Sequence, residues 1–254
     1  MNRVDTFRAL HVPGDPLVLF NIWDAGTARV VAEAGAQAIA TGSYGVAESL
    51  GFADGETVPF ELVLANLRRI CSVTDLPVTV DLESGYGATP ADVQRSVDAA
   101  RDAGAAGINM EDRMPGESAL VPIDDQAERL SAAASSGLFV NARCDVFRGG
   151  DVAADGEKLV TATLERARAY ADAGAGGLFV PFLADHGCIA AICEGSPLPV
   201  NVLWSPGCGP RATLAALGVA RISHGHQPWA AAMDIMKREA ASVFAGGVPA
   251  YAAG

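Results

Sequence analysis

The stretch "RDAGAAGINMED" (residues 101–112) joins the end of a predicted helix to the start of a predicted strand. Its first glycine, Gly104, follows an alanine-rich helical segment and precedes a short apolar run. Glycine in this position ends a helix in the left-handed conformation, from which the chain turns directly into the next strand. Related phrases occur as "AEAGAQAI" (32–39), "ADAGAGGL" (171–178) and "AALGVARI" (215–222). The repetition favours one architecture built from a repeated βα unit over two unlike domains.

Short β-branched runs alternate with amphipathic, alanine-rich segments along the whole chain. The runs predict eight strands, at 16–24, 36–43, 76–84, 107–112, 138–145, 177–182, 199–204 and 219–226. The segments between them predict helices at about 25–36, 59–74, 90–104, 124–136, 156–174, 185–194, 210–217 and 228–243. This order fits either an open doubly wound sheet or a closed barrel. Because no G-x-G-x-x-G follows the first strand, we predict an α/β fold with a single (β/α)₈ TIM barrel domain over residues 1–254.

The composition restricts the class of partner. Hydrophobic residues make up 50% of the chain and charged residues 19%, which suits a globular domain with a large core. A formal net charge of −12 opposes binding to nucleic acid or to an anionic membrane. No apolar stretch has signal-peptide or membrane-spanning length, so a cytoplasmic protein is expected. The five cysteines form no C-x-x-C pair, which indicates reduced thiols.

Polar residues at the carboxyl ends of barrel strands are candidate site residues, because barrel active sites are built there. They are Asn21, Asp24, Ser43, Asp81, Glu83, Glu111, Asp112, Asn141, Arg143, Asp145, Asn201, His224 and His226, with Asp54 on the segment after the second strand. Crowded carboxylates raise one another's pKa unless a cation lies among them. Oxygen ligands suit Mg²⁺, or Mn²⁺. We predict a metal site with Asp81 as direct ligand and with Glu83, Glu111 and Asp54 acting mostly through water.

Two of these residue sets have alternative roles. Arg143 could bind a substrate carboxylate with two parallel hydrogen bonds, or it could form a structural ion pair with Glu83 or Glu111. His224 and His226 have the H-x-H spacing of a metal site. No third histidine or cysteine stands at another strand end, so packing is favoured for this pair.

The chain resembles the isocitrate lyase/phosphoenolpyruvate mutase superfamily over nearly its whole length. "VDLESGYG" (80–87) is similar to the metal-binding third strand of that family, and "INMED" (108–112) to its fourth-strand acid. "NARCD" (141–145) is similar to its fifth-strand arginine, and "TGS" (41–43) to its second-strand serine. The resemblance implies a (β/α)₈ barrel whose eighth helix is commonly swapped between subunits, which gives a homodimer or homotetramer. It also implies Mg²⁺ and a small 2-oxo or 2-hydroxy acid as substrate.

The resemblance also assigns roles to individual residues. The magnesium set corresponds to Asp81, Glu83, Glu111 and Asp54. An oxyanion-binding turn corresponds to Ser43 with the backbone of Tyr44 and Gly45, and the substrate-carboxylate clamp corresponds to Arg143. The predicted catalytic residues are Arg143, Asp54 and Glu111. The predicted substrate-binding residues are Ser43, Tyr44, Gly45, Asp81, Arg143 and Asn201.

Several positions depart from the family pattern. The lyases carry K-[KR]-C-G-[HR] on the loop after the fourth strand, whereas loop 113–125 reads "RMPGESALVPIDD" without cysteine, lysine or histidine. The lysine and the asparagine or threonine of the mutases and phosphonopyruvate hydrolases are missing as well. Glu83 replaces the usual second aspartate, and Tyr44 stands where a small residue is common. Pro115 and Gly116 make the loop a candidate lid.

A site without the loop acid can still bind a 2-oxo acid and stabilise an enolate through Mg²⁺ and the turn at 43–45. The first hypothesis is a Mg²⁺-dependent lyase that cleaves a C–C bond of a small 2-oxo or 2-hydroxy (di)carboxylic acid, with oxaloacetate decarboxylase-like or malate/methylisocitrate lyase-like activity. The second is P–C chemistry on phosphonopyruvate, with Arg113 or Arg148 beside the phosphonate. The third is a barrel that binds 2-oxo acids without turnover.

Overall fold

The strands form the nearly closed parallel barrel that the sequence predicts. The computed structural model describes residues 2–252. The strands are β1 (Leu17–Leu19), β2 (Ile39–Ala40), β3 (Val78–Asp81), β4 (Gly107–Glu111), β5 (Phe139–Arg143), β6 (Gly177–Val180), β7 (Val200–Leu203) and β8 (Arg221–Ser223). They pair in parallel in the order β1-β8-β7-β6-β5-β4-β3-β2. A parallel bridge between Ile22 and Thr41 joins the two edges, so the (β/α)₈ prediction is confirmed.

The helices surround the barrel, and two of them were not predicted. They are α1 (Arg3–Ala9), α2 (Ala25–Glu33), α3 (Ser43–Leu50), α4 (Phe60–Cys71), α5 (Pro90–Asp102), α6 (Ile123–Ala134), α7 (Val152–Asp172), α8 (His186–Gly195), α9 (Arg211–Ala216) and α10 (Gln227–Phe244). The additional helices are α1 and α3. Both are short, and α3 contains an internal glycine, so neither gives a clear helical period in the sequence.

The repeated helix-to-strand join has the predicted geometry. Gly104, in the stretch "RDAGAAGINMED", has φ 107°. The corresponding glycines of the other three phrases, Gly35, Gly174 and Gly218, have φ 98°, 94° and 88°. A side chain would be strained in this region, so glycine allows each helix to end just before its strand.

Helix α1 closes the amino-terminal end of the barrel. Phe7 is fully buried, and its ring meets Phe139 edge-on with the ring centroids 5.3 Å apart. The His11 ring stacks on Phe139 at 4.2 Å, and its Nδ1 lies 2.8 Å from the Phe7 carbonyl oxygen. The barrel interior above them is polar, because Arg221 Nη2 and Asn141 Nδ2 both donate to Asn109 Oδ1. These contacts leave the carboxyl end of the barrel as the open one.

Helix α10 buries little of its own surface. Pro228 is its one buried residue, whereas Ile235, Met236 and Phe244 are 53%, 63% and 88% exposed. Over residues 2–252, no helix has the length and apolar character needed to cross a membrane.

Candidate active site

A cavity of about 780 Å³ opens at the carboxyl ends of the strands. The residues with a predicted metal, catalytic or substrate-binding role on its wall are Ser43, Tyr44, Asp54, Asp81, Glu83, Glu111 and Arg143, and the candidates Asn21 and His226 line it as well. Loop residues 113–118 also line it, together with Arg148 and Phe182 from the next two strand ends. The structure therefore brings most of the predicted residues together, although they come from four separate strand ends.

Two predicted substrate-binding residues lie off the cavity wall. Gly45 is buried in the first turn of α3, and a Cβ there would lie 3.3 Å from Trp23 Cβ and 3.4 Å from Trp229 Cβ. Asn201 is 1% exposed inside the barrel, where its Oδ1 accepts a hydrogen bond from Ser223 Oγ at 3.2 Å. Both residues have a packing role in this structure, and neither faces the cavity.

The segment predicted as an oxyanion-binding turn is the first turn of a helix. Helix α3 begins at Ser43, and Gly42 at its N-cap has no side chain to satisfy the free N–H groups. The Ser43 N–H donates to Asp81 Oδ2 at 3.3 Å. The amino end of a helix carries partial positive charge, so α3 offers donors to an anion at the cavity. Oxyanion binding by this segment stays a prediction, and its backbone is helical from Ser43 onward.

The Asp81 carboxylate makes only weak contacts with the protein. Its Oδ1 accepts from the Glu83 N–H and its Oδ2 from the Ser43 N–H, each at 3.3 Å. The Asp81 N–H donates to Thr41 Oγ1 at 3.0 Å, which fixes the backbone at the end of β3. Burial raises the pKa of Asp81, Arg143 opposes that rise, and Asp54 adds to it. The two weak hydrogen bonds leave its oxygens available to a ligand.

Glu83 and Glu56 form a reciprocal clamp between two loops. Glu83 Oε2 accepts from the N–H groups of Gly55 and Glu56, at 2.8 and 2.9 Å. In return, Glu56 Oε1 accepts from the N–H and hydroxyl of Ser84, at 2.7 and 2.6 Å, and from the Tyr86 N–H at 3.1 Å. Glu83 and Glu56 both have left-handed backbones, with φ 52° and 56°. This Glu56–Glu83 clamp holds the loop that carries Asp54.

The clamp changes the role predicted for Glu83. One of its carboxylate oxygens is already bonded to two backbone N–H groups, so it positions the Asp54 loop in addition to facing the cavity. Burial raises its pKa to about 8, and Asp81 and Asp54 contribute to the rise. Sequence reasoning missed Glu56, because it lies in a loop with no motif.

Arg143 forms the ion pair that the sequence left as an alternative. Its Nη1 lies 2.5 Å from Glu111 Oε2. Its Nε and Nη2 donate to the two oxygens of Asp145, at 2.7 and 2.9 Å. Burial raises the pKa of Glu111 to about 7, although Arg143 opposes the rise. The guanidinium still lines the cavity, but the partner that orients it is Asp145, to which the sequence assigned no role.

Asp112 supports the site from behind and was also given no role by the sequence. It is fully buried and accepts from the Asp145 N–H at 2.9 Å, from Arg166 Nη1 at 3.1 Å and from the Tyr170 hydroxyl at 2.7 Å. These bonds tie the ends of β4 and β5 to helix α7. A buried carboxylate is stable only when it has such partners. The acid that follows "INME" in the sequence therefore has a structural role, since it joins these elements.

The donor set fits a magnesium ion held largely through water. Within residues 2–252, no three His, Cys, Asp or Glu side chains converge as a protein-only metal cage. Mg²⁺ keeps several waters and commonly uses one or two carboxylates, which Asp81 can supply directly. Asp54, Glu83 and Glu111 line the same cavity, where they would bond to the metal's waters. His224 stacks on Trp204 and His226 meets Tyr44 edge-on, and these contacts are consistent with the packing role favoured for this pair.

Comparison with known proteins places this barrel in a family. The model of the phosphoenolpyruvate phosphomutase family (PEP_mutase) matches residues 7–244. A crystal structure from Burkholderia cenocepacia J2315, assigned provisionally as a phosphonomutase, is 49% identical with a TM-score of 0.91, and the match covers 96% of this chain and 98% of that one.

Two relatives have named lyase or decarboxylase activities. The 2-methylisocitrate lyase of Salmonella typhimurium (strain LT2) is 31% identical over 76% of this chain and 67% of its own length. The oxaloacetate decarboxylase of Chromohalobacter salexigens is 27% identical over 89% of this chain and 80% of its own length. The homologues are therefore enzymes that differ among themselves in the bond they act on. The chain belongs to the phosphoenolpyruvate phosphomutase family, within the isocitrate lyase/phosphoenolpyruvate mutase superfamily.

Proposed function

We propose that the protein is a Mg²⁺-dependent lyase that cleaves a C–C bond of a small 2-oxo or 2-hydroxy (di)carboxylic acid. The observation that carries the proposal is the arrangement of the cavity wall, where Asp81, the amino end of α3 and Arg143 face one space. The named activities of the methylisocitrate lyase and oxaloacetate decarboxylase relatives support the same substrate class.

Each part of the wall has a task in this reaction. Asp81 would hold the metal, with Asp54, Glu83 and Glu111 bonded to its waters. Bound Mg²⁺ would supply Lewis-acid polarisation of the substrate's oxygen atoms. The first-turn N–H groups of α3 would stabilise negative charge that develops on the substrate's carbonyl oxygen. Loop 113–118 would exclude water, and its residues Glu117 and Ser118 bring a carboxylate and a hydroxyl group to the cavity wall.

P–C bond chemistry on a phosphonate acid is the second candidate function. It is favoured by one observation, the presence of Arg113 and Arg148 on the cavity wall, where they could neutralise a phosphonate. The provisional assignment of the B. cenocepacia structure points the same way.

One assay separates these functions. The purified protein with Mg²⁺ is incubated with oxaloacetate, alkylmalates, methylisocitrate and phosphonopyruvate, and pyruvate, glyoxylate and phosphate are measured. We expect a C–C cleavage product that falls by on the order of 10²-fold or more in Asp81→Asn, because the direct metal ligand is lost. The matched control is Asp75→Asn, since Asp75 is fully exposed before β3 and pairs with Arg3. Release of phosphate alone would refute C–C cleavage, and binding without any product would identify a non-catalytic barrel.

We also propose that α10 packs against a second copy of the chain to give a homodimer or homotetramer. The support is the exposed apolar surface of α10, where Ile235, Met236 and Phe244 are all more than half exposed. A helix that ends a barrel repeat normally buries an apolar stripe against its neighbours. Within the single chain α10 buries Pro228 alone, so these apolar side chains are available to a partner.

A further inference from the structure

The cavity wall around Asp145 carries an excess of positive charge. The Asp145 side chain is fully buried, and the guanidinium groups of Arg143, Arg148 and Arg113 all approach it. In the described part of the chain, Glu111 is the one other carboxylate that pairs with any of these arginines. Three cations therefore face two anions in this corner.

Arg143 is the arginine that the protein itself neutralises. Its Nε and Nη2 are bonded to Asp145, and its Nη1 contacts Glu111 at 2.5 Å. All three guanidinium nitrogens thus have a carboxylate partner. Short charge-assisted contacts of this kind are strong and directional, so Arg143 offers less to a ligand than the motif suggests.

Arg113 and Arg148 are the incompletely compensated cations. Arg148 Nη1 lies 3.3 Å from Asp145 Oδ2, and its side chain is 50% exposed. Arg113 Nε lies 3.7 Å from the same oxygen, which is beyond hydrogen-bond distance. This buried Nε has no hydrogen-bond partner among residues 2–252. Both side chains line the cavity, so an anionic ligand could supply the missing acceptor.

Phe182 completes this corner in an unusual conformation. It has φ 63°, which is uncommon for a bulky residue, and 49% of it is exposed at the cavity. Its ring lies 5.5 Å from Arg148 Cζ and 5.8 Å from Arg143 Cζ. Backbone strain of this kind persists where the surroundings require it, often at ligand sites. Here it places an apolar face against two guanidinium groups, where it limits their access to water.

The part of the cavity wall formed by the loops after β2 and β3 has the opposite charge. Asp54, Asp81 and Glu83 lie there, at the loops after β2 and β3. The loop carboxylate Glu117 also lines the cavity, but among the described residues it makes no salt bridge to either arginine. The cavity is therefore polarised, with an acidic side suited to a metal ion and a basic side suited to an anion.

We propose that Arg113 and Arg148 form a second anion subsite, which binds the distal carboxylate or phosphonate of the substrate. This assignment rests on the proposed function, because it takes the 2-oxo acid end of the substrate to lie at Asp81. The substrates are then 2-oxo acids with a charged tail. A neutral-tailed 2-oxo acid would leave the two arginines without an additional counter-ion, so the site discriminates against it.

The test compares tails of different charge in binding, not in turnover. With Mg²⁺ present, the ligand-dependent rise in Tm gives apparent affinities for 2-oxobutanoate, oxaloacetate and 3-phosphonopyruvate. The wild-type protein is expected to bind at least one charged-tail acid roughly tenfold more tightly than 2-oxobutanoate. Arg148→Gln and Arg113→Gln should each remove most of that preference and leave the affinity for 2-oxobutanoate within about twofold. Arg148→Lys should keep most of it, because the charge remains.

A matched control shows whether loss of any arginine has the same effect. Arg168 is exposed on α7 and does not line the cavity, so Arg168→Gln should leave all three affinities unchanged. Equal binding of charged and neutral tails by the wild-type protein overturns the proposal. So does an equal loss for both tail types in Arg148→Gln, or the absence of binding by both charged-tail acids. The relative affinities for oxaloacetate and 3-phosphonopyruvate identify the tail as carboxylate or phosphonate.

This test is separable from that of the proposed function. If charged tails bind preferentially but no substrate is converted, the subsite stands and the lyase proposal fails. If C–C cleavage occurs without any preference for charged tails, the lyase proposal stands and the subsite fails.

Discussion

Replacing Glu56 by alanine should weaken both the fold and the site, because Glu56 is one half of the Glu56–Glu83 clamp. Its Oε1 is the acceptor for the backbone N–H groups of Ser84 and Tyr86, at 2.7 and 3.1 Å. The Ser84 hydroxyl can rotate to another acceptor, whereas these two N–H groups cannot move. At about 1 to 1.5 kcal/mol for each N–H that loses a charged acceptor, the free energy of unfolding should fall by about 2 to 3 kcal/mol.

The same variant should reduce activity, although Glu56 is not on the cavity wall. Loss of the clamp frees loop 54–57, which carries Asp54 into the cavity. A displacement of about 1 Å in a positioned group can cost on the order of 10²-fold in rate, so we expect a fall of that order in kcat/KM. Urea denaturation gives the change in stability, and steady-state kinetics at saturating Mg²⁺ gives the change in activity.

Two further variants identify the cause. Glu56→Gln keeps an acceptor oxygen without the charge and should lose no more than about 1 kcal/mol. Glu61→Ala removes an exposed carboxylate from the first turn of α4 and should change stability by about 0.5 kcal/mol or less. If Glu56→Ala matched Glu61→Ala in both stability and kcat/KM, the clamp would have no role in holding the Asp54 loop.

Two other predictions concern the closed end of the barrel and α10. Burial, with a smaller effect from Arg221, lowers the pKa of His11 from 6.5 to about 3, so the unfolded chain binds a proton that the folded protein does not. The contribution of neutral His11 to the free energy of unfolding is fully present above about pH 6.5 and decreases as the pH falls towards about 3. At about pH 5 the free energy of unfolding should be about 2 kcal/mol lower for this reason. Urea titrations of the wild type and of His11→Gln measure this effect. The difference between their unfolding free energies should decrease by that amount from about pH 7.5 to about pH 5. A difference that stays constant with pH would contradict the lowered pKa of His11. For α10, Met236→Glu should disrupt the proposed interface and lower the molar mass measured by sedimentation. The control Val30→Glu, at a 65% exposed site on α2, should leave the molar mass unchanged. An unchanged molar mass in Met236→Glu would show that Met236 is not part of the interface.

The barrel could be predicted because its determinants are local. Each join such as "RDAGAAGI" combines a helix end, a left-handed glycine and an apolar strand, and all three are visible in the sequence. The strand-end acids could be located for the same reason, since the architecture decides where a strand ends. Local sequence patterns do not predict which side chains pair with one another. Arg143 had two alternatives in the sequence, and only the distances show that Glu111 and Asp145 occupy its guanidinium.

Non-local contacts also explain why two of the predicted residues lie away from the cavity wall. Asn201 stands at a strand end in the sequence, but its side chain points into the barrel, where Ser223 bonds to it. Gly45 was assigned by its place in a motif, whereas its close approach to Trp23 and Trp229 depends on the loop after β1 and on helix α10, which are distant in the sequence. Side-chain direction at a strand end changes with a shift of one residue, so a motif locates a site more reliably than it locates each contact.

The Glu56–Glu83 clamp explains why a glutamate stands at position 83, where the family usually has an aspartate. A glutamate side chain is one methylene longer than that of aspartate. From a left-handed backbone at φ 52°, the Glu83 side chain reaches the N–H groups of Gly55 and Glu56 on the neighbouring loop. Those contacts would be out of reach for the shorter side chain without movement of the loop. Asp81, in contrast, makes only weak protein contacts, at 3.3 Å on both oxygens. The two acids of "VDLESGYG" therefore differ in their contacts, since Asp81 lines the cavity with weakly bonded oxygens and Glu83 holds the loop beside it.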